Sequence, residues 1–143
     1  MSDEELRAFL VDQTIVSCAT IGPRGRPHLV PLWYVPDGAE LSGWTYRKSQ
    51  KAKNLERDPR ATLQVEDGVQ YHELRGVMME CDVAVETDAE KVVNFGMALF
   101  QRFGATGPEV ENMIRGQAPK RIGMTFTPTR IVSWDHGKLG GTY

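Results

Sequence analysis

The first apolar positions of the chain fall at helical spacing: Leu6, Phe9 and Leu10 follow Ser2 and Glu5, whose S-x-x-E arrangement forms a capping box. This pattern predicts a short amphipathic helix ending near Asp12 that lies as a lid on the core. The period then shortens to two. Residues 14–21 (TIVSCATI) and 28–35 (HLVPLWYV) are β-rich runs separated by a Gly/Pro cluster, which predicts a hairpin. Pro36-Asp37-Gly38 predicts a further turn leading to a strand near residues 41–46. Ser49 predicts the N-cap of a helix running to about Arg57, and Asp58-Pro59 stops it, because the residue before proline is pushed out of the helical region. Residues 60–66 read as a strand. Residues 71–86 alternate, with Tyr71, Val77, Met79, Cys81, Val83 and Val85 on one side and His72, Glu80, Asp82 and Glu86 on the other; one long half-buried strand follows, with Gly76 at a bulge or bend. Thr87 and Glu90 form a second capping-box pattern before a helix with Val92, Phe95, Met97, Leu99, Phe100 and Phe103 on its apolar side, ending at Gly104. Pro108 opens a shorter helix carrying Val110, Met113 and Ile114 and closed by Gly116, and residues 121–126 and 130–134 read as a final pair of strands.

About seven strands, mostly hairpin-linked, with helices segregated from them, indicate an α+β fold closed as a small, mostly antiparallel β-barrel. The 143 residues suit one domain, expected to span residues 1–143. Composition excludes several classes. No apolar run approaches the roughly 20 residues of a membrane span, and the acidic start of the chain is unlike a secretory signal, so a cytoplasmic protein with no membrane partner is expected. A net charge of −2 argues against nucleic acid as a partner. Cys18 and Cys81 lie far apart in strand-like segments, with neither CxxC spacing nor a neighbouring histidine, and read as reduced core residues and not as metal ligands.

One segment departs from this even distribution. Residues 47–60 hold six bases (Arg47, Lys48, Lys51, Lys53, Arg57 and Arg60) against two acids, Glu56 and Asp58. With Ser49 as cap, Lys51 and Lys53 fall in the first helical turn, where cations oppose the helix dipole. Free amides, a capping hydroxyl and several bases at a helix start together make a phosphate site. The plainer alternative is a solvated basic helix face, and Arg57 and Arg60 are equally placed to pair with Glu56 or Asp58.

The run from Thr45 through Ser49-x-Lys51-Ala52 to Asp58-Pro59-Arg60 resembles the cofactor-phosphate segment of the pyridoxamine 5'-phosphate oxidase-like split barrels. The order of signatures along nearly the whole chain is closest to the F420-binding, actinobacterial branch: Thr20-Ile-Gly-Pro in the first hairpin, Trp33-Tyr34, Ser49-x-Lys51, Glu66-Asp67-Gly68, Leu74-Arg75-Gly76-Val77 and Ser133-Trp134-Asp135-His136. The resemblance implies a split β-barrel with peripheral helices that works as a homodimer, with coenzyme F420, or alternatively FMN, bound between subunits. It implies that Thr45, Lys48, Ser49, Gln50 and Lys51 hold the cofactor phosphate, Gln50 standing where flavin-binding relatives often have arginine. His28, Leu29, Val30, Pro31, Leu32 and Trp33 would line the ring, and Trp134 with the tail after it would reach the partner's site. F420 continues past its phosphate into an acidic tail, for which Arg47, Lys53, Arg57 and Arg60 are candidates; FMN ends at the phosphate.

The implied activity is hydride transfer from reduced deazaflavin to a conjugated hydrophobic small molecule, with solvent, Tyr34, Tyr46 or His28 as candidate proton source. No G-x-S-x-G, Walker, dinucleotide or H-E-x-x-H motif points to other chemistry. Two alternatives stand beside it: a non-catalytic carrier of F420 or flavin, and an FMN-dependent oxidase of pyridoxamine phosphate, for which no second basic cluster is visible. His72 and His136 read as surface groups, and the Met/Phe stripe of residues 95–103 as core or dimer contact.

Overall fold

The computed structural model describes residues 1–141. Seven strands form one antiparallel sheet: β1 (Ile15–Ile21), β2 (Pro27–Trp33), β3 (Val35–Asp37), β4 (Glu40–Tyr46), β5 (Arg60–Asp67), β6 (Arg75–Glu86) and β7 (Arg121–Asp135), in the order β2-β1-β5-β6-β7-β4-β3. Four α-helices accompany them among the described residues: α1 (Asp3–Asp12), α2 (Gln50–Arg57), α3 (Ala89–Arg102) and α4 (Pro108–Gln117). None of these helices is long and apolar enough to cross a membrane. The sheet curls until its ends approach: a Cβ placed on Gly43 of β4 would lie 3.1 Å from the Trp33 carbonyl at the end of β2. The fold is therefore an α+β split barrel, and its split runs between the end of β2 and β4.

Alternation along the strands fills the interior. Val16 and Cys18 of β1, Leu63 and Val65 of β5, Val77, Met79 and Cys81 of β6 and Phe126 of β7 meet there, and both cysteines are free thiols. α1 lays Leu6, Phe9 and Leu10 over this core from a Ser2–Glu5 capping box, as its sequence predicts. No base lies in the last turn of α1 to meet its open carbonyls. Arg102 supplies that function from α3, donating to the carbonyls of Leu10, Val11 and Gln13 at 2.6–3.2 Å and to that of Tyr34 at 2.6 Å. The Tyr34 hydroxyl donates to Leu10 and Gln13 as well. A second apolar cluster lies outside the barrel, where Val92, Val93 and Leu99 of α3 and Ile114 of α4 pack on Trp44.

Several local expectations are corrected. Pro36 and Asp37 belong to β3, and the turn is Gly38-Ala39; a proline is tolerated there because β3 is an edge strand. Tyr71–Glu73 forms a 3-10 turn, so the long strand begins at Arg75 and not at residue 71. Gly76 is no bulge: its bare Cα admits the Trp134 indole, whose nearest atom would be 2.5 Å from an added Cβ. The two final strands are one. β7 runs unbroken from Arg121 to Asp135, and the register shift falls at Glu80/Cys81, opposite Thr129, so Pro128 sits beside a bulge where the ladder is already interrupted. α3 is capped at Asp88 without a side-chain bond, in place of a Thr87–Glu90 box, and the Thr87 carbonyl accepts from Arg47. Gly116 lies inside α4, which continues to Gln117.

Candidate functional site

Ser49 caps α2 as expected, its hydroxyl accepting from the Ala52 amide at 3.1 Å. Starting the helix there turns Lys51 and Asn54 inward and leaves Lys48, Gln50, Lys53 and Arg57 outward or exposed. Ala52 and Leu55 of the inward face join the core, and Asn54 is connected on both sides: the Gln50 amide donates to Asn54 Oδ1 at 2.7 Å, and Asn54 Nδ2 donates to Thr20 Oγ1 at 3.0 Å. Lys51 is only 7% exposed, and its Nζ donates to Thr45 Oγ1 of β4 at 3.2 Å. No carboxylate lies within ion-pair distance of it among the described residues.

Burial holds the Lys51 ammonium below the usual lysine range. The nearby Cys18 thiol would favour the charge only as thiolate, and burial pushes that thiol up to about 11, so at neutral pH it provides no countercharge. Arg121 adds repulsion. A buried cation with one hydroxyl partner and a second cation nearby is an arrangement an anion would stabilise.

Lys51 and Thr45 open onto a cavity of about 410 Å³ at the split of the barrel, within the size range of small-molecule sites. One wall is Pro31, Leu32 and Trp33 at the end of β2; the other is Trp44 with Leu99 and Phe100 of α3 and Met113 of α4. Trp33 stacks on Phe103 with ring centroids 4.3 Å apart, and Arg102 beside Phe103 fixes that pair to the end of α1. Other cavities of about 280 and 390 Å³ lie away from this cluster, the second on the outer face of β1 and β5.

Of the residues expected to bind a cofactor, the cavity gathers Pro31, Leu32, Trp33, Thr45 and Lys51. His28, Leu29 and Val30 lie further along β2, and His28 Nδ1 is shielded from solvent with no hydrogen-bond partner among the described residues. Ser49 acts through its cap, Gln50 is turned onto Asn54, and Lys48 lies just before the helix, exposed. Arg57 donates to the Ile21 carbonyl. Trp134 packs on Gly76, and the 3-10 segment His136–Leu139 docks on its own chain, where Lys138 pairs with Glu5; the end of the tail, residues 142–143, lies outside the described residues. Arg60 forms a two-pronged pair with Asp58 at 2.8 and 2.9 Å, so it is engaged as one reading of the sequence allowed.

Sequence reasoning missed Trp44, Leu99, Phe100, Met113, Gln117 and Arg121 as lining residues. The stripe of residues 95–103 does supply core, but Leu99 and Phe100 also face the cavity. Tyr34 is removed as a proton source: its hydroxyl is buried on two carbonyls, and burial raises its pKa.

An open-sided antiparallel barrel carrying a cation-ended aromatic cleft at its split defines a split-barrel protein. The chain belongs to the pyridoxamine 5'-phosphate oxidase family, whose sequence model matches residues 2–135. Similar solved structures include a conserved hypothetical protein from Mycobacterium tuberculosis, 38% identical with a TM-score of 0.90, covering 100% of this chain and 90% of that one. An F420 reductase is 21% identical with a TM-score of 0.64, covering 83% and 89% of the two chains. HutZ, the heme storage protein of Vibrio cholerae, is 17% identical with a TM-score of 0.72, covering 90% and 92%. No curated protein matches the chain.

Proposed function

We propose that the protein is a cytoplasmic, F420-dependent reductase that transfers hydride from reduced deazaflavin to a conjugated hydrophobic small molecule. The observation that carries this reading is the acid-free Lys51 at the polar end of an aromatic cavity, in a chain of the pyridoxamine 5'-phosphate oxidase family. The likeness to an F420 reductase supports the choice of cofactor. When bound, the deazaflavin supplies the hydride. The chain's own residues bind and orient: Lys51, backed by Thr45, takes the phosphate oxyanion, and Trp33, Trp44, Leu99 and Phe100 clamp flat apolar rings and exclude water. The described residues of the lining include no Asp, Glu, His, Cys or Tyr, and Lys51 is taken up by the phosphate, so solvent is the proton source in this reading.

F420 is preferred over FMN on charge. Arg60 is neutralised by Asp58, while Lys48 and Lys53 remain outside any ion pair among the described residues and Arg47 and Arg57 bind only carbonyls, leaving positive potential beyond a single phosphate. A homodimer belongs to the same proposal. On the outer face of β1 and β2 the register aligns Ile15 with Trp33, Ala19 with Leu29 and Ile21 with Pro27, and Leu29 is 66% exposed. A second copy would cover this strip and bring its Trp134 and tail toward the cavity.

Titration with F420 and with FMN tests the cofactor: F420 is expected to bind the more tightly, and tight FMN binding with negligible F420 binding would overturn the proposal. The absence of a carboxyl, imidazole, thiol or phenol among the described residues of the lining, with Lys51 given to the phosphate, favours one second reading, a carrier that binds F420 without turnover. Reduced F420 offered with quinones, enones and tetrapyrroles separates the two, since the carrier gives binding and no product.

A further inference from the structure

Arg121 opens β7 opposite Tyr46 of β4, and its guanidinium is held over two rings, 3.8 Å from the Tyr46 centroid and 4.7 Å from that of Trp44. Its Nε donates to Gln117 Oε1 at 3.4 Å, while its two terminal nitrogens have no acceptor among the described residues. A guanidinium whose face is covered keeps its edge for a planar, two-oxygen anion. That edge borders the cavity that holds Lys51. Thr45 and Tyr46 are successive on β4 and so point to opposite faces: Lys51 is tethered on the barrel side by Thr45, and Arg121 lies with Tyr46 on the other. The two cations therefore enter one cavity from opposite sides of a strand, without an acid between them.

We propose that Arg121 is a ligand-binding residue of this cavity and that Lys51 and Arg121 form a two-cation seat, selecting ligands with two separate oxyanion groups over ligands with one. The identity of the ligand rests on the F420 reading above, in which a phosphodiester takes Lys51 and a carboxylate of the acidic tail takes Arg121. The seat itself does not depend on it.

Two measurements keep them apart. In a thermal-shift titration with inorganic pyrophosphate, which carries two oxyanion groups, against chloride at matched ionic strength, the wild type is expected to rise in Tm, as a protein does when its native state binds a ligand. Lys51→Met and Arg121→Gln should each remove most of that rise, and Lys91→Gln, which loses a charge paired with Glu86 far from the cavity, should keep it. Calorimetric titration follows with F420 and FMN. Arg121→Gln is expected to weaken F420 by roughly 10–100-fold, the loss typical of a charge-assisted hydrogen bond, and FMN by less than about threefold. Arg121→Lys, which keeps the charge without the planar fork, should fall between wild type and Arg121→Gln and guards against loss of folding. No pyrophosphate response in the wild type, or equal loss of both cofactors in Arg121→Gln, overturns the two-cation seat. A pyrophosphate response that depends on both cations in a protein binding neither F420 nor FMN supports the seat and removes the cofactor reading alone.

Discussion

Two groups of basic side chains in this protein live in contrasting surroundings. Six of the seventeen are paired with carboxylates on the surface, among them Lys138 with Glu5, Arg75 with Asp67, Arg130 with Glu80 and Arg115 with Glu90 and Glu111. At the split of the barrel Lys51 and Arg121 meet a hydroxyl, an amide and two aromatic faces instead. Exposed ion pairs contribute little, because water screens them already. A buried cation without a counterion has the opposite sign and weakens the fold that holds it. The contrast separates charges the fold has neutralised from charges it has left for something else.

Lys51→Met breaks that contrast most severely. Deazaflavin affinity should fall by about 1–3 kcal/mol, since a charge-assisted contact is lost, while the ligand-free protein gains on the order of 1–2 kcal/mol in denaturant melts from losing an unpaired buried charge. A variant that loses affinity and stability together would place Lys51 among ordinary structural lysines. Next comes Thr20→Val, which strands Asn54 Nδ2 in the interior and should cost about 1–3 kcal/mol; urea unfolding reads it directly, and a neutral result would mean the Gln50–Asn54–Thr20 chain does not brace α2.

A pH series gives a smaller effect with a definite sign. The folded pKa of Lys51 is lowered, so the native state releases this proton before the unfolded chain does, and ligand-free stability from this group rises as pH climbs through the folded value toward 10.5. Cofactor affinity runs the other way, falling as the ammonium deprotonates; isothermal titration at stepped alkaline pH should show the fall at lower pH than an ordinary lysine would give. Lys138→Met is the mildest change. Its hydrogen bond to Glu5 holds that carboxyl at about 2, so the pair's contribution persists above 4.5 and is lost only as pH falls from there toward about 2. The variant lacks this contribution at every pH, so its stability should fall less between 4.5 and about 2 than the wild type's does, as acid titration followed by circular dichroism would reveal.

Local chemistry made much of this legible in the sequence. Ser2 with Glu5, the Ser49 cap and the period of two through Val77, Met79, Cys81 and Val83 act within a few residues, and each forms as read. Thr127-Pro128-Thr129 misled because a proline normally breaks a ladder; here it stands at a bulge that already breaks it. The cationic half of the site was visible at Thr45 and Lys51, since a helix start announces itself. Arg121 was not, because its place opposite Tyr46 depends on the register of two strands 75 residues apart in sequence, and neither residue is unusual alone. Leu99 and Phe100 show helical periodicity equally well whether they face core or cavity.

The two thiols give the barrel a built-in clock. Cys18 and Cys81 are sealed inside and their pKa values stand at about 11 and 12, so at neutral pH they offer neither access nor thiolate to an alkylating reagent. Any labelling of the native protein must pass through an opened interior, and its rate at saturating reagent counts how often the strands part. Slower labelling with a ligand in the cleft would report how firmly an occupant holds the two edges of the split together.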